Sequence, residues 1–191
     1  MEPLSVQRRG AGVMYAQPFQ TAGEAWTALV AQQGMSDGDL VDLWEHQVQT
    51  AEELQKAGAD DELVVAGLLH DLGDGRVSDA EHSAWASRML RPLLGERVAY
   101  VIAAHADAKR YLCTVDPAYW NSLSPLSQQT MINQGGLMTP EEVAAFRGHR
   151  WFEDAITLRR CDDRGKDTRR TVTDTERFRV LLDQVVARRT A

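Results

Sequence analysis

The run Leu68-Leu69-His70-Asp71-Leu72-Gly73 closes an apolar segment that begins at Leu63. Leu63, Val64, Leu68 and Leu69 read as a buried helix, with Asp60 as its N-cap and Gly73 and Gly75 as its stop. A histidine and an aspartate therefore stand where a core helix gives out. Consecutive helix residues point about 100° apart, so His70 and Asp71 reach one site only at an edge of the helix. A single His-Asp pair is more often a capped, solvated pair than a site, and the rest of the chain has to decide.

Working outward, the pattern is helical in both directions. Upstream, Asp39 to Ala57 carries Leu40, Leu43, Trp44, Ala51 and Leu54 on one stripe, with His46 among them. Downstream, Ser78-x-x-Glu81 has the form of a capping box and puts His82 in the first turn of a new helix. A further helix is expected over residues 96–112, with Val98, Val101, Ile102 and His105 facing inward. Ser124-Pro125 and Thr139-Pro140 each read as an N-cap followed by proline at the first helical position. Thr173-x-x-Glu176 opens a last amphipathic helix through Phe178, Leu181, Leu182, Val185 and Val186. No useful run alternates with a period of two, so the expected fold is an all-α helical bundle in a single domain over residues 21–191. Residues 1–20, with Gly10, Gly12 and Pro18, read as an irregular arm.

Composition limits the partners. The chain has 191 residues, 43% of them hydrophobic and 26% charged, with a net charge of −7. That suits one soluble domain and disfavours nucleic acid, whose phosphates need clustered Lys and Arg. The dense basic stretch, Arg159 to Arg170, is broken by Asp162, Asp163 and Asp167 and reads equally well as a solvated loop. No run of 18 apolar residues suggests a membrane span, and the N-terminal residues lack a secretory pattern. Cys113 and Cys161 have no metal-ligand spacing and read as reduced thiols of a cytoplasmic protein.

Imidazole with carboxylate is a ligand set for zinc, iron or manganese. His105 lies four residues before Lys109, so both project from one helix face. An ammonium one turn from a metal suits an anionic substrate. His149 has no partner at ligand spacing.

In the order His46, His70-Asp71, His82, His105, Asp162, these residues resemble the HD-domain superfamily of helical metalloproteins. The minimal pattern of two histidines and two aspartates holds one metal, and the added His82 and His105 are enough for two. The blocks at 108–112, 122–130, 134–138 and 161–166 resemble one branch of that superfamily. This branch is the 2-amino-1-hydroxyethylphosphonate dioxygenase family of mixed-valent di-iron oxygenases, which cleave the carbon–phosphorus bond of 1-hydroxyalkylphosphonates.

The resemblance implies that His46, His70, Asp71, His82, His105 and Asp162 ligate an Fe(II)/Fe(III) pair, with Asp71 bridging and Asp162 chosen over Asp163. It places Lys109, Ser127, Gln134 and Arg159 around the phosphonate, Lys109 as the catalytic cation. It also implies O2 as co-substrate, phosphate and a carboxylate as products, and a small organophosphonate as the binding partner. An HD-type phosphohydrolase, or a related di-iron oxidation of a non-phosphonate substrate, are the alternatives.

The sequence departs from that family's pattern at two places. Asp74 stands where the family's His-Asp-x-Gly-His motif ends in histidine, so a carboxylate replaces an imidazole. It would repel a dianion unless neutralised or turned away, or it would meet a cationic substrate group. Ser36 and Asp39 stand where the family carries a tyrosine and a glutamate over the site. Asp39 could keep the carboxylate role, with Trp44, Tyr15 or Phe19 as an aromatic wall.

Overall fold

The computed structural model describes residues 15–36 and 41–190. Among them nine helices and no strands form. Helix α1 is Ala22–Val30, α2 Leu43–Lys56, α3 Asp61–Leu69, α4 His82–Val115, α5 Pro117–Ser122, α6 Pro125–Asn133, α7 Pro140–Arg147, α8 Phe152–Arg164 and α9 Glu176–Thr190.

Helix α3 is the centre. Every residue from Leu63 to Leu69 is buried, as expected of a helix that is apolar all round. Asp60 caps it, its Oδ1 accepting the Leu63 N–H at 3.0 Å. It packs against α2, α4, α8 and α9. Its last helical residue is Leu69, short of the glycine stop, and His70 occupies the C-cap. The His-Asp pair thus sits on the turn leaving the helix, where the edge it needs is available.

The helix expected from Asp39 begins at Leu43, because Asp42 takes the cap by accepting the Glu45 N–H at 2.7 Å. Asp39 itself lies outside the described residues. The capping box at Ser78 does not form. Ser78 Oγ bonds the Glu81 carboxylate, and no side chain caps α4, although His82 is its first residue. The two helices expected over 82–112 are joined end to end in α4, with a break at Gly95. Gly95 has φ 79°, a backbone region that side-chain-bearing residues avoid.

The caps at Ser124 and Thr139 form as expected, Thr139 with Glu142 in a full capping box. Asp116-Pro117 repeats the pattern at α5, a helix the sequence reading passed over. The last helix starts at Glu176 and buries Phe178, Leu182 and Val185 in the main core. Phe19 enters that core too, its N–H bonded to the Met89 carbonyl at 3.0 Å. No helix among the described residues is long and apolar enough to cross a membrane.

Candidate metal centre

Four helices deliver the six expected ligands to one buried cluster. His46 comes from the first turn of α2, His70 and Asp71 from the end of α3, His82 and His105 from the two halves of α4, and Asp162 from α8. Gly73 makes the approach of α4 possible. A Cβ there would lie 2.2 Å from the His82 carbonyl oxygen, so any side chain would push the start of α4 away.

The imidazoles are oriented by their far nitrogens. Nδ1 of His70, His82 and His105 meets the carbonyl three residues back, Gly67, Asp79 and Ile102, at 2.8, 2.6 and 2.7 Å. Nδ1 of His46 meets the Gly165 carbonyl at 3.0 Å. A carbonyl only accepts, so each Nδ1 carries the hydrogen and each Nε2 turns a lone pair inward. His82 Nε2 and His105 Nε2 face one another at 3.0 Å. Two lone pairs at that distance need a cation beside them. His70 Nε2 is buried with no hydrogen-bond partner.

The carboxylates divide the set in two. Asp71 Oδ2 lies 3.5 Å from His46 Nε2 and 3.2 Å from His70 Nε2. Its Oδ1 lies 3.4 Å from His82 and 3.3 Å from His105. Asp162 joins the first group only, Oδ1 at 3.2 Å from His46 and Oδ2 at 3.8 Å from His70. Two overlapping sets of donors lie within 4.8 Å of one another, His46 with His70 and Asp162, and His70 with Asp71 and His105. This nitrogen and oxygen set fits two transition-metal cations.

Two buried glutamines steady the bridge. The Asp71 N–H donates to Gln47 Oε1, Gln47 donates to Gln32 Oε1, and Gln32 Nε2 donates back to the Asp71 carbonyl at 2.9 Å.

Without metal, protons do part of the neutralising. Burial would raise the Asp71 and Asp162 pKa values, but both lie well below the usual range. The surrounding imidazoles, His70 first, outweigh burial for Asp71; Arg159 and then His46 do so for Asp162. Burial lowers His46 and His82, yet Asp162 and Asp71 lift His46 to about 10, and Asp71 lifts His82 to about 9. Burial takes His105 the other way, to about 4, with His70 and His82 adding to the fall. The His82–His105 pair thus shares one proton, held on His82.

A cavity of about 70 Å³ opens beside the cluster, lined by Lys109, Ser127, Gln134, Arg159 and Asp74 among others. One water needs about 10–15 Å³ by this measure, so the space suits a small anionic group. Lys109 is buried and donates to Thr130 Oγ1 at 2.8 Å. Burial, then repulsion by Arg159, lowers its pKa to about 7. Ser127 is buried, its N–H held by the Ser124 cap. Gln134 ends α6, with Nε2 3.5 Å from the Asp79 carbonyl and a buried Oε1 that no donor meets. Asp74 Oδ1 accepts the Gly75 N–H, and its charge helps to raise His82.

Residues 43–143 match the HD domain family. The chain belongs to the HD-domain family. Its similarity to a hydroxymethylphosphonate dioxygenase of Gimesia maris, 34% identical, covers 86% of this chain and 89% of the relative. A [1-hydroxy-2-(trimethylamino)ethyl]phosphonate dioxygenase (glycine-betaine-forming) of Leisingera caerulea is 31% identical over 78% and 81% of the two chains. An uncharacterized protein of Acanthamoeba polyphaga mimivirus is 27% identical over 85% and 80%.

Within this HD-domain chain, several expectations need correcting. The aromatic wall does not form from Trp44, Tyr15 or Phe19. Phe19 is buried in the core with Tyr15 edge-on at 5.0 Å, and Trp44 packs against the same core. The basic stretch is not a solvated loop throughout, since Arg159 to Arg164 end α8 and Arg159 is buried. Asp163 turns away from the histidines to Tyr119 and Arg159. His149 stacks on Tyr100 at 3.5 Å, apart from the cluster.

Thr130, Asp79 and Lys166 also line the cavity and were not picked out as site residues. Thr130 and Lys166 stand inside blocks that carry the family resemblance. Gln32 and Gln47 had no comparable signal.

Proposed function

We propose that the protein is a di-iron oxygenase that cleaves the carbon–phosphorus bond of a small 1-hydroxyalkylphosphonate. The observation that carries this reading is the juxtaposition of a two-part His/Asp cluster, shared through Asp71, with a small cavity that Lys109 and Arg159 line. Kinship over most of the chain with two phosphonate dioxygenases supports it. The reaction balances without an external reductant: one hydroxyphosphonate and one O2 give one carboxylic acid and one phosphate.

His46, His70 and Asp162 would hold one iron, His82 and His105 the other, with Asp71 between them. A mixed-valent iron pair bound there would supply the O2 chemistry and the oxidising power. The protein's own part is electrostatic. Lys109 and Arg159 neutralise the phosphonate dianion and the Ser127 hydroxyl can donate to it, while Gln134 Oε1, which only accepts, can receive the hydrogen of a substrate hydroxyl. Lys109 acts as the catalytic cation, its charge restored when an anion enters.

Asp74 and Asp79 give the cavity acidic lining residues as well, and the Asp74 charge helps to raise His82. A substrate tail carrying positive charge matches those carboxylates better than a bare hydroxymethyl group. Asp39 lies outside the described residues and adds nothing to this reading. We assign the reaction to the cytoplasm, a reading that the two buried free thiols support.

The test is to mix iron-loaded protein and O2 with a panel of 1-hydroxyphosphonates bearing neutral and ammonium tails. Phosphate release should equal O2 uptake, with kcat/KM highest for an ammonium tail. A panel that gives neither phosphate nor O2 uptake sinks the reaction class. Oxygen-independent release of phosphate from an ester would establish a phosphohydrolase instead.

A further inference from the structure

Arg159 is buried, and its guanidinium is held on three sides. Nε donates to Tyr119 Oη at 2.9 Å, Nη1 to Asp162 Oδ2 at 2.6 Å, and Nη2 to Asp163 Oδ1. Tyr119 Oη in turn donates to Asp163 Oδ2 at 2.6 Å. Arg159, Tyr119 and Asp163 thereby close a ring in which the phenol uses its one hydrogen and accepts one in return. A guanidinium has five N–H donors in a rigid plane. Three bonds in different directions fix that plane and leave two donors, on a residue that lines the cavity.

We propose that Tyr119, together with Asp163, is a positioning residue that holds the Arg159 guanidinium so that its two remaining N–H groups face the phosphonate. This rests on the reading of Arg159 as an anion ligand given above. Without the ring, Arg159 would keep its bond to Asp162 alone and could rotate about it, or pair with both oxygens of that carboxylate. Either movement would withdraw donors from the cavity and disturb a carboxylate whose other oxygen faces His46.

The placement of Tyr119 fits the role. It stands on α5, a six-residue helix with no buried residue. Its ring packs between two small apolar clusters, one around Tyr111 and Phe146, the other around Cys113, Leu123 and Met131. The ring anchors α5, and the hydroxyl alone reaches the ion-pair network. Tyr119→Phe therefore removes the positioning contact and keeps the anchor.

The experiment titrates inorganic phosphate into anaerobic, iron-loaded protein by calorimetry, alongside Tm and iron content for each variant. Tyr119→Phe should weaken phosphate by about tenfold, the loss of a bond to a charged group, with iron content unchanged and Tm little moved. Asp163→Asn should weaken it similarly, and the double variant should be about as weak as the worse single one, since both act through one guanidinium. A role in stability alone would lower Tm and leave phosphate affinity untouched, which overturns the proposal. So would single effects that multiply in the double variant. Arg159→Gln separates the two readings. If it weakens phosphate while Tyr119→Phe does not, only the positioning role fails. If it too leaves phosphate binding intact, Arg159 is not an anion ligand and both fail.

Discussion

Asp71 is the residue on which both halves of the cluster depend, since each of its oxygens faces two histidines. Asp71→Asn keeps the shape but removes the anion and leaves a neutral amide among four imidazoles. We expect iron content below two per chain and turnover reduced by more than about 100-fold, given that even outer-shell partners are worth about 10–100-fold. Full iron content with near-normal turnover would show that Asp71 does not bridge.

Lys109 makes a second prediction at this scale. Its pKa near 7 belongs to the metal-free protein and arises from burial and Arg159. The charged form is lost as pH rises through that value, so affinity for an anion should fall. Sulfate keeps its own charge in this range, and His82 and His46, at about 9 and 10, stay protonated. Sulfate affinity of metal-free protein should therefore drop between pH 6 and 8, and Lys109→Met should abolish that slope. An unchanged slope in the variant would assign it to another group.

At the scale of elements, the turn between α3 and α4 decides whether one metal point or two can form. Gly73→Ala would set a Cβ against the His82 backbone rather than a movable side chain. The start of α4 has to retreat, at about 1–3 kcal/mol for overpacking. His82 retreats with it, whereas His46, His70 and Asp162 belong to other helices. Iron content should fall toward one per chain in a protein that still melts cooperatively. Two irons per chain would show that the turn can absorb the methyl group.

This turn also marks what could be read beforehand. Apolar helices with Asp, Ser or Thr caps and Pro or Gly punctuation are local signals, and α3, α6 and α7 follow them. His70-Asp71 stood out because it ends such a helix. What escaped depends on distant packing. Asp42 caps α2 and starts it at Leu43, later than the expected start at Asp39, and Ser78 bonds a carboxylate instead of a helix terminus. Phe19 and Trp44 went to the core because apolar area is worth more there than at a polar cavity. Tyr119 reaches Arg159 across 40 positions, and no local pattern announces that contact.

The whole molecule joins these scales through the competition between metal and protons. Four helices contribute to the cluster, so metal should tie α2, α3, α4 and α8 together and raise stability by linkage, by about 4 kcal/mol when free metal is 1,000 times Kd. The pH dependence follows from the histidines. In metal-free protein, His46 and His82 have folded pKa values of about 10 and 9, above the ordinary 6.5. Their contribution is complete below pH 6.5 and fades as pH rises towards 9 and 10. Asp71 and Asp162 have depressed values, so their contribution is present through this range and fails only in acid. Metal binding must displace the protons on His46 and His82, which becomes easier as pH rises. Metal-free protein should therefore lose Tm between pH 7 and 9 while the iron-loaded protein holds or gains, and the gap between them should widen. Paired melting curves, collected anaerobically with and without a chelator, measure it. A gap that stays constant or narrows with pH would mean that His46 and His82 do not exchange their protons for metal.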